Sequence, residues 1–119
     1  MLVDSHCHLN FEGLVEQIPE VIQRADKVGV SHMVCICSRI SEFKKVSQIA
    51  DNNENVYCSV GIHPHDVEKE PEISAKSLID LSRHSKAVGI GETGLDLYYK
   101  HSPLNAQVRS FRTHITAAR

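Results

Sequence analysis

Apolar runs typical of strands alternate with segments of helical periodicity along the whole chain, and this alternation restricts the fold more than any other feature. The predicted strands cover residues 2–7, 33–37, 56–62 and 87–92. The second is apolar without a break, as expected of a parallel strand covered on both faces. Repeated strand–helix–strand units predict a parallel sheet in the order 1-2-3-4 with right-handed crossover helices.

Four helices are predicted from apolar residues spaced three or four apart: 14–28, 43–50, 73–81 and 104–118. Residues that commonly begin or end helices stand at these bounds: Gly29 after the first helix, Ser41 before the second, Ser74 or Ser77 near the start of the third, and Ser102-Pro103 before the fourth. Gly89 and Gly91, in the fourth strand, are expected to permit close helix packing.

Four strand–helix units are half of a closed β/α barrel, which has eight units and typically about 250 residues. The 119 residues therefore predict an α/β fold with a single domain, 1–119, that forms the N-terminal half of such a TIM barrel. A complete small α/β domain with an open four-stranded sheet is the alternative.

Metal-binding residue types fall where the predicted strands end. His6 and His8 are two residues apart at the end of the first strand, so their side chains project from the same face. Glu92 closes the fourth strand. Two neutral imidazoles and a carboxylate can bind one divalent ion. A lone His-x-His pair is equally compatible with surface or core histidines, but active sites of β/α barrels lie at the strand carboxyl ends.

Three motifs together resemble those of a known family. They are Asp4-Ser5-His6-Cys7-His8-Leu9, Gly61-Ile62-His63-Pro64-His65 and Gly91-Glu92-Thr93-Gly94-Leu95-Asp96. In this order the chain resembles the N-terminal half of TatD-type metal-dependent deoxyribonucleases, a TIM-barrel branch of the metal-dependent hydrolases. The similarity runs across all 119 residues, from His6 through Gln107 and Phe111, which resemble the family's helix after the fourth strand. It implies an enzyme that cleaves phosphodiester bonds of DNA with metal-activated water.

The resemblance also implies roles for individual residues. His6 and His8 are expected to bind a first divalent ion (Mg, Mn or Zn), which Glu92 bridges to a second in intact family members. Glu92 and His63 are the expected catalytic residues. His63 and His65 are the expected substrate-binding residues, with a purely loop-structuring role as the alternative for His63.

Part of the family's site has no counterpart here, because two further histidines and an aspartate come from the second half of the barrel. Asp4, expected on the same face as His6 and His8, is a candidate support for a ligand or a buried polar anchor. Asp96 is a candidate either for orienting a ligand or His63, or for capping a turn. Four histidines match no site motif and are expected at the surface or at helix ends: His32, His84, His101 and His114.

Composition restricts partners and compartment. A formal net charge of −2 argues against a broad basic surface for nucleic acid, although bound metal ions can meet a phosphate instead. The four cysteines, at positions 7, 35, 37 and 58, are expected to be buried free thiols. No signal peptide and no apolar run of membrane length is visible, so a reducing cytoplasm is expected.

The sequence is also compatible with two other functions: a metal-dependent amide or ester hydrolase of the same superfamily, and a non-catalytic degenerate half-barrel. In a closed barrel the first and fourth strands pair with the other half, so both edges are bare in this chain. Bare apolar edges pair with other chains, and exposure of the inward-facing Val88 and Ile90 adds to this tendency. The chain is therefore expected to associate with itself. DNA is the substrate that the family resemblance implies.

Overall fold

The structure is a computed structural model that describes all 119 residues, and its centre is one four-stranded parallel sheet. The strands are β1 (Leu2–Cys7), β2 (Val30–Cys35), β3 (Val56–Val60) and β4 (Ala87–Ile90). Every neighbouring pair is parallel, and the order is β1-β2-β3-β4. The predicted strand order and the α/β half-barrel are confirmed.

The helices are α1 (Ile18–Lys27), α2 (Phe43–Asp51), α3 (Ala75–Ser82) and α4 (Leu104–Ala118). Short 3-10 turns precede the first two, at Val15–Gln17 and Ile40–Glu42. Pro19 lies in the first turn of α1, where its missing N–H removes no helical hydrogen bond. Gly29 follows α1 with a φ of +87°, a conformation that favours glycine. Ser74 caps α3 by accepting a hydrogen bond from the Ser77 N–H. None of the helices is both long enough and apolar enough to span a membrane.

Several predicted strand boundaries are wrong. β2 covers Val30–Cys35 rather than 33–37, because its pairing with β1 begins at Leu2 and Val30. β3 and β4 each end two residues earlier than predicted. At the end of β4, the Glu92 N–H donates to the Cys37 carbonyl at 3.2 Å instead of continuing the ladder with β3. The strand ends therefore turn toward one another, which apolar periodicity does not reveal.

Ser41 and Ser102 do not cap helices as predicted. The N–H and hydroxyl of Ser41 donate to the Glu70 carboxylate at 2.9 Å and 2.6 Å. The hydroxyl of Ser102 donates to the His65 carbonyl at 3.1 Å and accepts the Glu68 N–H at 3.3 Å. Each hydroxyl is engaged with the segment that follows β3, so neither is available to a helix end.

The hydrophobic core lies between the sheet and its helices. Its buried residues are Leu9, Met33, Cys35, Cys37, Phe43, Val46, Ile49, Ala50, Val56, Cys58, Val60 and Leu78. All four cysteines are free thiols; three are buried and Cys7 is half-buried. Burial is the main cause that raises the pKa values of Cys37 and Cys58 to about 11, so both stay protonated at neutral pH. The inner face of the sheet has no such cover, since Val88 is 58% exposed.

The backbones beyond β3 and β4 approach closely where Gly61 faces Gly91. A Cβ atom on Gly61 would lie 2.4 Å from the carbonyl carbon of Gly91. The role predicted for Gly89 and Gly91 in helix packing is wrong, because a Cβ on Gly89 would meet nothing within 4 Å and one on Gly91 would make only ordinary contact. Glycine is required at position 61, and the contact sets the spacing between the segments that carry His63 and Glu92.

Replacing Gly61 by Ala is expected to lower the free energy of unfolding by about 1–3 kcal/mol or more, because the added methyl collides with backbone that cannot rotate away. Urea denaturation followed by circular dichroism measures this loss. Gly89→Ala is the matched control on the neighbouring strand, where the methyl enters open space and the change should stay within about 1 kcal/mol. Equal destabilisation by both variants would contradict the steric explanation.

Candidate metal centre

The pairing of β1 with β2 is irregular next to the first histidine. Asp4 pairs with Met33 and Cys7 pairs with Cys35, so β1 has one residue more than β2 between these pairs. Such a bulge breaks the simple alternation of side chains. The prediction that Asp4 shares the face of His6 is therefore wrong: Asp4 aligns with the core residue Met33, is exposed, and accepts the His6 N–H at 3.1 Å.

The side chains of His6, His8 and Glu92 converge at the carboxyl ends of the strands. Oε2 of Glu92 lies 3.4 Å from Nε2 of His6 and 4.0 Å from Nε2 of His8. Ligand atoms of all three residues lie within 4.8 Å of one another. Ligands about 2.1 Å from one tetrahedral ion are about 3.4 Å apart, so this donor set fits one divalent ion after small side-chain adjustments.

The ring of His8 is held by packing. It stacks on Phe11 with 4.5 Å between ring centroids and 16° between planes. Its Nδ1 is buried without a hydrogen-bond partner, and Nε2 is the nitrogen that faces Glu92. Sequence reasoning missed Phe11, whose only signal in the sequence is its position three residues after His8.

His63 approaches the other oxygen of the same carboxylate. Its Nε2 lies 3.4 Å from Oε1 of Glu92, while its Nδ1 accepts the backbone N–H of His65 at 3.0 Å. In the neutral ring the proton is then on Nε2, which makes this nitrogen a donor rather than a metal ligand. The pKa of His63 is lowered, because desolvation lowers it by more than the charge of Glu92 raises it. His63 thus lies beside the ligand set, and its contact with substrate stays a prediction.

Asp96 both caps a turn and orients a histidine, but that histidine is His65 rather than His63. Its Oδ2 lies 3.0 Å from Nε2 of His65. The carboxylate also accepts three backbone N–H groups, at 3.0–3.2 Å, from Tyr98, Tyr99 and Lys100. Desolvation tends to raise the pKa of Asp96, yet these N–H donors and the charge of His65 outweigh it and hold the pKa below its usual value.

Gln107 of α4 fixes the loop that contains Asp96. Its side-chain carbonyl accepts the Asp96 N–H at 2.7 Å. Its amide nitrogen donates to the carbonyls of Asp96 at 3.1 Å and of Ser102 at 2.7 Å. Gln107 is only 1% exposed, so these bonds satisfy a buried polar group and connect α4 to the rim of the site.

The prediction that His114 lies at the surface or at a helix end is wrong, since it is 1% exposed. Its Nε2 accepts the Ile62 N–H at 3.1 Å, and its Nδ1–H donates to the Ser110 carbonyl at 2.7 Å. Burial lowers its pKa. The neighbouring Ile115, one of the regularly spaced apolar residues of α4, is 43% exposed instead. His114 therefore fixes the backbone immediately before His63.

The three remaining histidines differ in their surroundings. His101 is exposed as predicted, but its ring contacts His65 at 4.7 Å and so belongs to the rim of the site. His84, half-buried, pairs with Asp51 at 3.2 Å after α3. Half-buried in β2, His32 lies 2.9 Å from the hydroxyl of Ser31.

A cleft of about 250 Å³ is lined by two of the three candidate ligands, His8 and Glu92. Arg39 lines this cleft, with Nε 3.5 Å from Asp66 and a terminal nitrogen 3.9 Å from Glu42. The Arg39 side chain is 45% exposed, which leaves donors free for an anion. Sequence reasoning missed Arg39, although it stands shortly after β2 on the same rim as the other strand ends.

This half-barrel, with histidines and a carboxylate at its strand carboxyl ends, has the architecture of metal-dependent hydrolases built on β/α barrels. The family described as TatD related DNase matches residues 3–119. The chain belongs to this family, as its three motifs predict.

Relatives in two bacteria are similar over most or all of the chain. The uncharacterized metal-dependent hydrolase YabD of Bacillus subtilis is 33% identical over 119 residues, which are 100% of this chain and 47% of that protein. The uncharacterized metal-dependent hydrolase YjjV of Escherichia coli is 32% identical over 98 residues, or 81% of this chain and 38% of that protein. The chain thus spans less than half the length of these relatives.

Two solved structures share the fold. The crystal structure of YjjV, a TatD homolog from Escherichia coli, superposes with a TM-score of 0.90 and 28% identity, over 98% of this chain and 46% of that one. A TatD family hydrolase from Entamoeba histolytica gives a TM-score of 0.78 and 26% identity, over 95% of this chain and 44% of that one.

Replacing both His6 and His8 by Ala is expected to abolish binding of Zn²⁺ or Mn²⁺, because a single carboxylate remains of the three candidate ligands. Isothermal titration calorimetry measures the affinity. His84→Ala is the control, since it removes a histidine that pairs with Asp51 and leaves the candidate ligands intact. Unchanged affinity in the double variant would contradict the assigned ligand set.

Acidification is expected to destabilise the fold partly through His114. Its folded-state pKa is lowered, so the unfolded chain binds more protons below a pH of about 6.5, and stability falls as the pH drops through that range. His114→Gln removes the titrating group and keeps an acceptor for the Ile62 N–H. Unfolding free energies measured between pH 7.5 and 5 should fall less steeply in this variant, and identical slopes would exclude a contribution from His114.

Proposed function

We propose that this chain provides His6, His8 and Glu92 as metal ligands of a divalent-metal-dependent phosphodiesterase that acts on DNA. The observation that carries the proposal is the convergence of His6, His8 and Glu92 around one position, with the Nε2 donor of His63 beside it. Membership of the TatD related DNase family and the description of relatives as metal-dependent hydrolases support it.

A bound divalent ion would supply Lewis-acid polarisation of a phosphoryl oxygen and a water acidic enough to attack near neutral pH. His6 and His8 would hold the ion through neutral Nε2 atoms, and Glu92 through Oε2. His63 would donate its Nε2 proton to a phosphate oxygen or hold the attacking water. Its Nδ1 is already engaged by the His65 N–H, so the direction of this donation is fixed.

The groups around the cleft favour a phosphodiester over an amide or a carboxylic ester. A phosphodiester carries a permanent negative charge, and Arg39 and His63 offer donors along the cleft that can form charge-assisted hydrogen bonds with it. His65, held by Asp96, adds a further ring on the same side. An amide or ester substrate has no charge at the scissile group that would require these donors.

The donor set also bears on the identity and number of ions. Imidazole nitrogens suit Zn²⁺ or Mn²⁺ better than Mg²⁺, which prefers oxygen ligands. A second ion would find only the Glu92 carboxylate, so we expect the 119-residue chain to hold one ion weakly.

A reducing cytoplasm is the proposed compartment, because all four cysteines are free thiols.

A nuclease assay with Mg²⁺, Mn²⁺ or Zn²⁺ tests the proposed reaction. We expect slow, metal-dependent cleavage of DNA that is lost on replacing Glu92 by Ala, because this change removes the carboxylate shared by all three imidazoles. His84→Ala should cleave at the wild-type rate. Cleavage of amide or ester substrates with none of DNA would favour the other hydrolase class. Efficient turnover by a stable monomer would show that no further ligands are needed.

We also propose that the isolated chain associates with itself. Both β1 and β4 are edge strands, and Val88 leaves apolar surface exposed on the inner face. Exposed edges of this kind pair with other chains. Light scattering at increasing concentration should show dimers or larger species, and Val88→Lys should shift the distribution toward smaller ones. A monomer at all concentrations would contradict this proposal.

A further inference from the structure

We propose that the loop after β4 contains a stacking site for a nucleobase, formed by Tyr98 and Tyr99. The site would bind the base that adjoins a phosphate held in the cleft, so the inference rests on the proposed function. We call residues 95–101 the aromatic loop. Tyr98 is 84% exposed and Tyr99 is 63% exposed. Two large adjacent rings left in water commonly mark an interaction site.

The aromatic loop is fixed even though its tyrosines are exposed. Asp96 accepts the backbone N–H groups of both tyrosines and of Lys100. The backbone of Asp96 is itself held by the buried Gln107. A loop that is ordered before binding loses little conformational entropy when a ligand arrives. Because these hydrogen bonds hold the loop, its shape does not depend on packing of the tyrosine rings against the core.

The rings connect the aromatic loop to the metal centre. Tyr99 and His101 are almost parallel, at 6° with 5.7 Å between centroids. His65 contacts Tyr99 edge-on at 5.4 Å and His63 at 4.3 Å. His63 in turn faces Glu92. Tyr98 extends the group outward, with its ring 4.8 Å from that of Tyr99. A strand whose phosphate lies in the cleft would therefore meet these rings with its neighbouring base.

The expected ligand is a single strand, because a base inside a duplex is stacked on both of its faces and offers none to a protein ring. Proteins bind single strands without sequence preference by combining a phosphate-binding groove with such rings. Each stacked base typically strengthens binding by about fivefold to a hundredfold. The chain has a formal net charge of −2, so a broad basic surface does not supply this affinity and local contacts must.

Fluorescence anisotropy with two labelled oligonucleotides tests the inference on the 119-residue chain with Zn²⁺ present. One is a short oligothymidylate, and the other is an abasic strand of the same length and charge. We expect the wild-type chain to bind the oligothymidylate at least fivefold more tightly. Tyr98→Leu and Tyr99→Leu should bring the ratio toward one without weakening the abasic strand, and Tyr99→Phe should keep it. Leu97→Ala, at a position 61% exposed in the same loop, is the control and should keep the ratio.

The outcomes separate the inference from the proposed function. Equal affinity of the wild-type chain for both strands overturns the stacking site and leaves the proposed function intact. Absence of binding to either strand overturns the proposed function and the inference with it. If Tyr98→Leu or Tyr99→Leu also loses affinity for the abasic strand, the tyrosines support the loop rather than bind a base. The same conclusion follows if Leu97→Ala brings the ratio of the two affinities to one.

Discussion

The backbone contact between Gly61 and Gly91 is the constraint on which the candidate site depends. A Cβ atom at position 61 would lie 2.4 Å from the Gly91 carbonyl carbon, so the segments beyond β3 and β4 approach as closely as they do only without a side chain there. His63 follows one of these glycines by two residues, and Glu92 follows the other directly. The contact therefore brings the His63 donor within 3.4 Å of the Glu92 carboxylate.

Buried polar side chains of α4 hold the rest of the rim in place. Gln107 binds the backbone of Asp96, and His114 binds the Ile62 N–H, so one helix positions both loops that flank the carboxylate. Each of these groups is almost fully buried and hydrogen-bonded, as buried polar groups must be to avoid a large desolvation cost. The helix thus contributes to the site without placing any residue in the cleft beside the candidate ligands.

Sequence reasoning predicted the elements, their order and the meeting of His6, His8 and Glu92, because period-two and helical patterns report which face of an element is buried. It failed where a tertiary contact decides the outcome. The bulge in β1 breaks the alternation that had placed Asp4 on the same face as His6. The hydrogen bond from the Glu92 N–H to the Cys37 carbonyl replaces the pairing with β3, so β4 is shorter than predicted. Arg39, Gln107 and His114 are isolated polar residues whose partners are distant in sequence, so no local pattern assigned their contacts.

A crystal structure of the chain soaked in Zn²⁺, with the ion located by anomalous scattering, tests the central claim most directly. We expect one peak within about 2.0–2.2 Å of Nε2 of His6, Nε2 of His8 and an oxygen of Glu92. His63 should keep its Nδ1 bond to the His65 N–H and remain outside the coordination sphere. A peak bound by His63 or by the His65–Asp96 pair, with none at the three predicted ligands, would contradict the assignment.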